Sequence, residues 1–150
     1  MIKNPNDKKH CYDYPRPMVT VDMVVLRNIE NEAQILLIER GKDPFKNSWA
    51  LPGGFIEMEE ELVDSAYREL QEETSIVNIE LRALNTYGKP GRDPRGRTIS
   101  VVFGGILKSQ DEAIAGDDAA KADWFSIHQL PELAFDHALI VKESLALLLV

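Results

Sequence analysis

A chain of 150 residues with 44% hydrophobic and 28% charged side chains suits one soluble globular domain and excludes a low-complexity or disordered protein. Its net charge of −8 disfavours a nucleic acid backbone as partner, yet allows a phosphate substrate held through metal ions. The lone Cys11 excludes an internal disulfide, His10 beside it makes no zinc spacing, and no apolar run reaches membrane-spanning length. With no signal-peptide core in the opening MIKNPNDKKH, the expectation is a cytoplasmic protein with no membrane partner.

Residues 1–13 read as a flexible polar arm, and 14–150 as a single domain. Tyr14-Pro15-Arg16-Pro17 limits the backbone to extended or turn geometry, and the apolar run 18–26 predicts a strand. Positions 28–32 are turn-like, so 33–38 is the returning strand of a hairpin. Arg40-Gly41-Lys42-Asp43-Pro44 is a loop whose Arg40 and Lys42 either meet substrate phosphates or stay solvated. Trp49, Ala50 and Leu51 form a short strand, with Trp49 a core anchor more readily than a base-stacking platform.

Residues 51–76, LPGGFIEMEEELVDSAYRELQEETSI, organise the rest of the chain. Between positions 57 and 73 eight acids (Glu57, Glu59, Glu60, Glu61, Asp64, Glu69, Glu72, Glu73) meet one base, Arg68, so nearly all the net charge belongs to this stretch. Leu62, Val63, Ala66, Tyr67 and Leu70 recur at helical steps and span an apolar arc of roughly 140°. Glu69, Glu72 and Glu73 border that arc within about 100° of one another, half turned toward the core.

Glu59, Glu60 and Glu61 are expected in the first turn, where negative charge suits the helix dipole. Glu69, Glu72 and Glu73 crowd the far end, where each costs about 0.3–1 kcal/mol, so a cation should compensate them. A solvated acidic face is the simpler account of a Glu-rich helix. The preceding Pro52-Gly53-Gly54 changes it, because adjacent glycines let backbone carbonyls approach a ligand, and carbonyl plus carboxylate oxygen is the set that Mg²⁺ prefers.

These residues resemble the Nudix hydrolase signature, G-x5-E-x7-R-E-U-x-E-E-x-G-U with U a bulky apolar residue. Gly54, Glu60, Arg68, Glu69, Leu70, Glu72, Glu73 and Ile76 stand at its spacings, eight of nine specified positions. Ser75 stands where the family has glycine, so the helix exit should either strain serine into the left-handed region by about 1 kcal/mol or end differently. The resemblance implies an α+β fold, an α/β/α sandwich with a mixed β-sheet between helices. It further implies a metal shell of Glu69, Glu72, Glu73 and the Gly53 carbonyl holding Mg²⁺, with Mn²⁺ as a substitute. Arg68 orients those carboxylates, and Glu60 is the outer partner of Arg68.

Beyond the helix, 77–87 and the β-branched TISVVFGGIL of 98–107 predict strands. The loop between them places Lys89, Arg92, Arg95 and Arg97 within nine residues. Alone it is a soluble connection; in an otherwise acidic chain Arg92, Arg95 and Arg97, with Arg40, become substrate-binding candidates for a diphosphate. GRDPRGR and YPRPMVTVD resemble segments of the ADP-ribose pyrophosphatase branch of the family.

Residues 110–121 are polar, 122–125 predict a short edge strand, and Ser126 is placed to cap a brief helix over 127–130, ended by Pro131. The apolar 137–150 predicts a helix buried against the sheet or in a contact between two copies of the chain, which leaves a homodimer open. Asp118 stands six residues before Trp124, a distance at which the resemblance nominates a metal-shell or base residue; Asp111, Glu112 and Asp117 are the other loop acids. Phe135-Asp136-His137 is either a substrate contact or a helix start.

The resemblance implies an Mg²⁺-dependent pyrophosphohydrolase of small-molecule nucleotides, turning ADP-ribose into AMP and ribose 5-phosphate. The alternatives are a nucleoside triphosphate pyrophosphohydrolase, including one acting on oxidised nucleotides, an ADP-ribose-binding sensor without turnover, and an acidic metal-buffering protein. The sensor role is usually accompanied by a DNA-binding extension, for which these residues leave no room.

Overall fold

The computed structural model describes residues 12–116 and 118–150. The arm at 1–11, with His10 and Cys11, and the acid Asp117 lie outside the described residues. Chain order gives β1 (Met18–Ile29), β2 (Glu32–Arg40), β3 (Trp49–Ala50), β4 (Gly53–Phe55), α1 (Leu62–Thr74), β5 (Arg82–Tyr87), β6 (Thr98–Ile106), β7 (Ala119–Ser126) and α2 (His137–Leu148).

β1 is the central strand, and its continuous apolar run is the mark of a strand covered on both faces. Side chains alternate across the sheet. Val21, Met23 and Val25 therefore point to one core with Ala66 and Leu70 of α1. Val24 and Leu26 point to the other with Ile140, Val141 and Leu148 of α2. The β1–β6 ladder is parallel, while β2, β4 and β5 pair antiparallel with their neighbours, in the order β3-β2-β1-β6-β5 with β7 on β2. This is the mixed sheet between two helical layers that the motif implied.

One irregularity positions the site. β1 pairs with β2 only over 26–29 and with β4 over 20–22, so β2 and β4 diverge along one side of it. The loop from β2 to β3 and the turn into β4 edge the space between them, and the Pro52 carbonyl fixes that turn by accepting the Met23 N–H at 2.9 Å.

Several expectations need correction. Glu59, Glu60 and Glu61 precede α1: Glu61 is its extended N-cap residue, and the first helical turn carries Asp64 alone as its acid. Glu60 bends away because its carboxylate serves Arg68 and Ser65. The strand expected at 77–87 begins only at Arg82; just before it, the Leu81 N–H donates to the Tyr67 hydroxyl at 2.9 Å. The edge strand at 122–125 extends to eight residues along β2. Ser126 caps a turn, through the His128 and Gln129 N–H groups, instead of a helix. Trp49 is a core anchor, edge-on to Phe125 at 4.7 Å. α2 is buried along the stripe Ile140, Val141, Ser144 and Leu148, while Leu139 and Leu147 are exposed.

Ser75 takes the left-handed conformation, with φ 63°, that its family position requires, and its N–H donates to the Gln71 carbonyl at 2.9 Å. Residues 114–116 then cover the helix end, with the Ile114 and Gly116 N–H groups donating to the Thr74 and Glu73 carbonyls. The Gln71, Glu73 and Thr74 carbonyls that the helix terminus leaves are thereby satisfied.

Candidate active site

A cavity of about 470 Å³ opens where β4 and α1 face the β2–β3 loop, the 92–95 loop and the residues leading into α2. Gly53, Glu69, Glu73, Arg68, Arg40, Arg92, Arg95 and Asp118 all line it.

Helical spacing puts Glu69 and Glu73 one turn apart on α1, beneath the glycine turn. The Gly53 N–H donates to the Glu73 carboxylate at 2.9 Å. A Cβ on Gly54 would overlap the Glu69 carboxylate, and one on Gly53 would overlap Asp22, so glycine is what lets strand and carboxylates come this close. Burial pushes Glu73 up to about 8, with Glu69 and Asp22 adding repulsion against the Gly53 hydrogen bond. Burial also raises Glu69, although Arg68 pulls the other way.

Arg68 spreads its donors over three acids: Glu60 at 2.7 and 3.0 Å, Glu69 at 2.8 Å and Glu72 at 3.2 Å. A hydrogen bond from Arg68, with a second from Ser65, holds Glu60 down at about 2. Arg68 thus hydrogen-bonds Glu60 and two of the carboxylates it was expected to orient. Glu72 is exposed, turned to Arg68, and absent from the cavity lining.

The basic residues are arranged differently from the free clamp that the sequence suggested. Arg92 donates to both oxygens of Asp136, at 2.9 and 2.7 Å, and Arg95 to both oxygens of Asp93, at 3.1 and 2.8 Å. Arg40 donates to the Pro44 carbonyl at 2.7 Å and lies over the Phe135 ring at 5.0 Å, and no ion pair involves it among the described residues. Burial lowers its pKa, and Arg95 adds to the lowering. Arg97 is not brought to the cavity: its guanidinium turns to the Gly88 carbonyl. Asp118 sits at the mouth, paired with Lys42 at 2.5 Å.

Asp22 and Asp93 were missed, and Phe135-Asp136-His137 was left undecided. Asp22 is a buried acid inside the doubly covered strand β1, a break in its apolar run that could have flagged it. It accepts from the Ser100 hydroxyl and lies 3.6 Å from His137 Nε2. His137 Nδ1 accepts the Leu51 N–H at 3.0 Å, which places the ring proton on Nε2, facing Asp22. Burial lowers the His137 pKa and keeps it neutral.

Among the described residues no three Asp, Glu, His or Cys side chains are gathered in an arrangement that could hold a metal ion. The donor chemistry nevertheless fits one. Two half-buried carboxylates at raised pKa, Glu69 shared with Arg68 and Glu73 met by a backbone N–H, lie beside a glycine turn offering carbonyl oxygen, and hard oxygen donors of this kind suit Mg²⁺ or Mn²⁺.

The chain is similar to known proteins over nearly its whole length. The model of the NUDIX domain matches residues 16–148. The chain is 43% identical over 148 residues to an ADP-ribose pyrophosphatase of Methanocaldococcus jannaschii, covering 95% of this chain and 81% of that protein. It is 34% identical over 138 residues to an ADPR responsive transcriptional repressor of Acinetobacter baylyi, covering 89% of this chain but only 55% of the repressor. Among solved structures, the NUDIX domain of Shewanella oneidensis NrtR complexed with ADP ribose superposes with a TM-score of 0.80 at 30% identity, over 87% of this chain and 88% of that one. With the family model spanning nearly its whole length and the signature residues Gly54, Arg68, Glu69 and Glu73 lining one cavity, the chain belongs to the Nudix hydrolase family.

Proposed function

We propose that this protein is a divalent-metal-dependent pyrophosphohydrolase that cleaves ADP-ribose to AMP and ribose 5-phosphate, and that residues 14–150 act as one catalytic unit. The observation that carries the reading is the pair Glu69 and Glu73, half-buried together against the glycine turn in a cavity that Arg40, Arg92 and Arg95 also line. The similarity to an ADP-ribose pyrophosphatase selects the substrate.

Glu69, Glu73 and the Gly53 carbonyl, with Glu72 at the rim, are the residues that would hold Mg²⁺ or Mn²⁺. Bound there, the metal supplies charge neutralisation for the phosphates and a more acidic water. Arg68 fixes the Glu69 carboxylate. Of the described cations that line the cavity, Arg40 is the one with no ion pair and is the one we assign to the diphosphate, backed by the paired Arg92 and Arg95. Asp118, exposed at the mouth and paired with Lys42, is the acid we assign to accept a proton from an attacking water. His137 holds the Leu51 backbone and so the turn that carries Gly53.

A small nucleotide suits the acidic surface better than a nucleic acid backbone does. Among the described residues no helix is long and apolar enough to cross a membrane. The test is incubation of the purified chain with ADP-ribose and Mg²⁺, products separated by chromatography, beside nucleoside triphosphates and their oxidised forms. AMP with ribose 5-phosphate is the expected outcome; preference for triphosphates would defeat the assignment. The likeness to the repressor favours a second reading, an ADP-ribose sensor, which tight binding without turnover in Mg²⁺ or Mn²⁺ would establish instead.

A further inference from the structure

We infer that Arg27, remote from the cavity, is a positioning residue that sets where Asp118 stands at the active-site mouth; this rests on the assignment of Asp118 as the acid that takes a proton from the attacking water. Asp118 arrives at the mouth on the irregular stretch that joins β6 to β7. A stretch outside helix and sheet is fixed by what holds it from outside, so the acid it carries is only as well placed as those anchors.

The described anchors lie at both ends and in the middle. Upstream, Arg27 Nη1 donates to the Asp111 carbonyl at 3.3 Å and to the Glu112 carboxylate at 3.1 Å. In the middle, the Ile114 and Gly116 N–H groups donate to the Thr74 and Glu73 carbonyls at 2.9 and 3.2 Å, and Ala113 packs on the core beneath α1. Downstream, the Gly41 N–H donates to the Asp118 carbonyl at 3.1 Å. Glu73 thus receives the stretch on its carbonyl while its carboxylate lines the cavity, so Asp118 is indexed to the acid proposed to hold the metal.

Arg27 is out of place for a side chain that merely fills space. It follows Val21, Met23 and Val25 at alternate positions of the doubly covered strand β1, and its side chain is only 9% exposed. Burying a guanidinium is costly, and an apolar side chain of similar size often serves a core as well or better. What an apolar side chain cannot do is aim donors. Gln34, its partner across the β1–β2 ladder, accepts from Arg27 Nε at 2.8 Å, and the Trp124 ring lies 4.3 Å from the guanidinium carbon. These two contacts fix the guanidinium plane and leave Nη1 aimed at residues 111 and 112. Arg27 does not line the cavity, so it acts through what it holds.

Arg27→Lys keeps the charge beside Trp124 but cannot serve Gln34, Asp111 and Glu112 together. Hydrogen exchange on the full chain reads the anchor directly. The Ile114 and Gly116 amides should exchange about tenfold faster, while those of α2 keep wild-type rates. Glu112→Ala, at a side chain 74% exposed, should speed the same two amides without touching the core. Kinetics read the consequence: in Arg27→Lys, kcat for ADP-ribose should fall about tenfold with KM within about twofold. Asp118→Asn alone should lower kcat about a hundredfold, and adding Arg27→Lys to it should cost nothing more. Unchanged exchange at Ile114 and Gly116 in both variants overturns the proposal. So does a kcat in Arg27→Lys that stays at the wild-type value, or a loss that repeats in full on the Asp118→Asn background. An Asp118→Asn chain with wild-type kcat would instead defeat the assignment of Asp118 as the base, and the exchange rates would still decide whether Arg27 holds the stretch.

Discussion

The basic and acidic parts of the cavity lining differ less in the sign of their charge than in how far that charge is already answered. Arg92 and Arg95 each meet a carboxylate through two hydrogen bonds, so they arrive neutralised and held in place. Glu69 shares one arginine with Glu60 and Glu72, and Glu73 is met by a backbone N–H alone among the described hydrogen bonds. Desolvating a carboxylate without full pairing is costly, and the raised pKa values of Glu69 and Glu73 record that cost. The Arg92 and Arg95 pairs are thus complete as folded, whereas the acidic part is built to be completed by a cation.

Breaking the acidic part should have the largest effect. Glu73→Gln keeps the shape and the Gly53 contact while removing the charge, so turnover of ADP-ribose in Mg²⁺ should fall by about a hundredfold or more. The same change should raise the melting temperature of the metal-free protein, because a half-buried charge has gone. Steady-state kinetics and a thermal scan in a chelator check the two halves.

Arg68→Lys ranks next. Lysine cannot spread five donors over Glu60, Glu69 and Glu72, so activity should fall about 10–100-fold at saturating metal. Recovery of wild-type rates in this variant would show that a single positive charge suffices there.

The comparison also fixes a pH dependence. Glu73 has a folded pKa of about 8, raised from 4.5, so its contribution to stability is fully present below about 4.5 and is lost as pH climbs toward 8. Metal-free protein should lose about 1–3 kcal/mol over that window, after discounting for solvent access. Urea unfolding at several pH values in a chelator measures it, and added Mg²⁺ should flatten the slope.

The smallest effect belongs to the helix exit. Ser75→Gly relieves a left-handed serine and should stabilise the chain by about 0.5–1 kcal/mol with kinetics unchanged. Chemical denaturation against an assay on the same preparation tests it.

Much of this was legible in residue order. The alternation 21, 23, 25 against 24, 26 announces a strand covered on both faces, and the spacing of Glu69 and Glu73 behind a glycine pair announces the site. What stayed hidden depends on contacts distant in sequence. Arg92 and Arg97 are equivalent cations in a list of residues, yet only the fold gives one Asp136 and the other a carbonyl of its own loop. The start of α1 shifted because Arg68, a full two turns on, draws Glu60 out of helical geometry. Asp22 was passed over inside an apolar run, and its meaning appears only once α2 brings His137 beside it.

The most direct test is the affinity of the metal-free protein for Mn²⁺, measured by calorimetry for the wild type and Glu73→Gln side by side. Binding in the wild type that weakens at least about tenfold in the variant, whose metal-free form melts higher, is the predicted result. Equal Mn²⁺ affinity in the two proteins would contradict the claim that these half-buried carboxylates exist to gather a divalent ion.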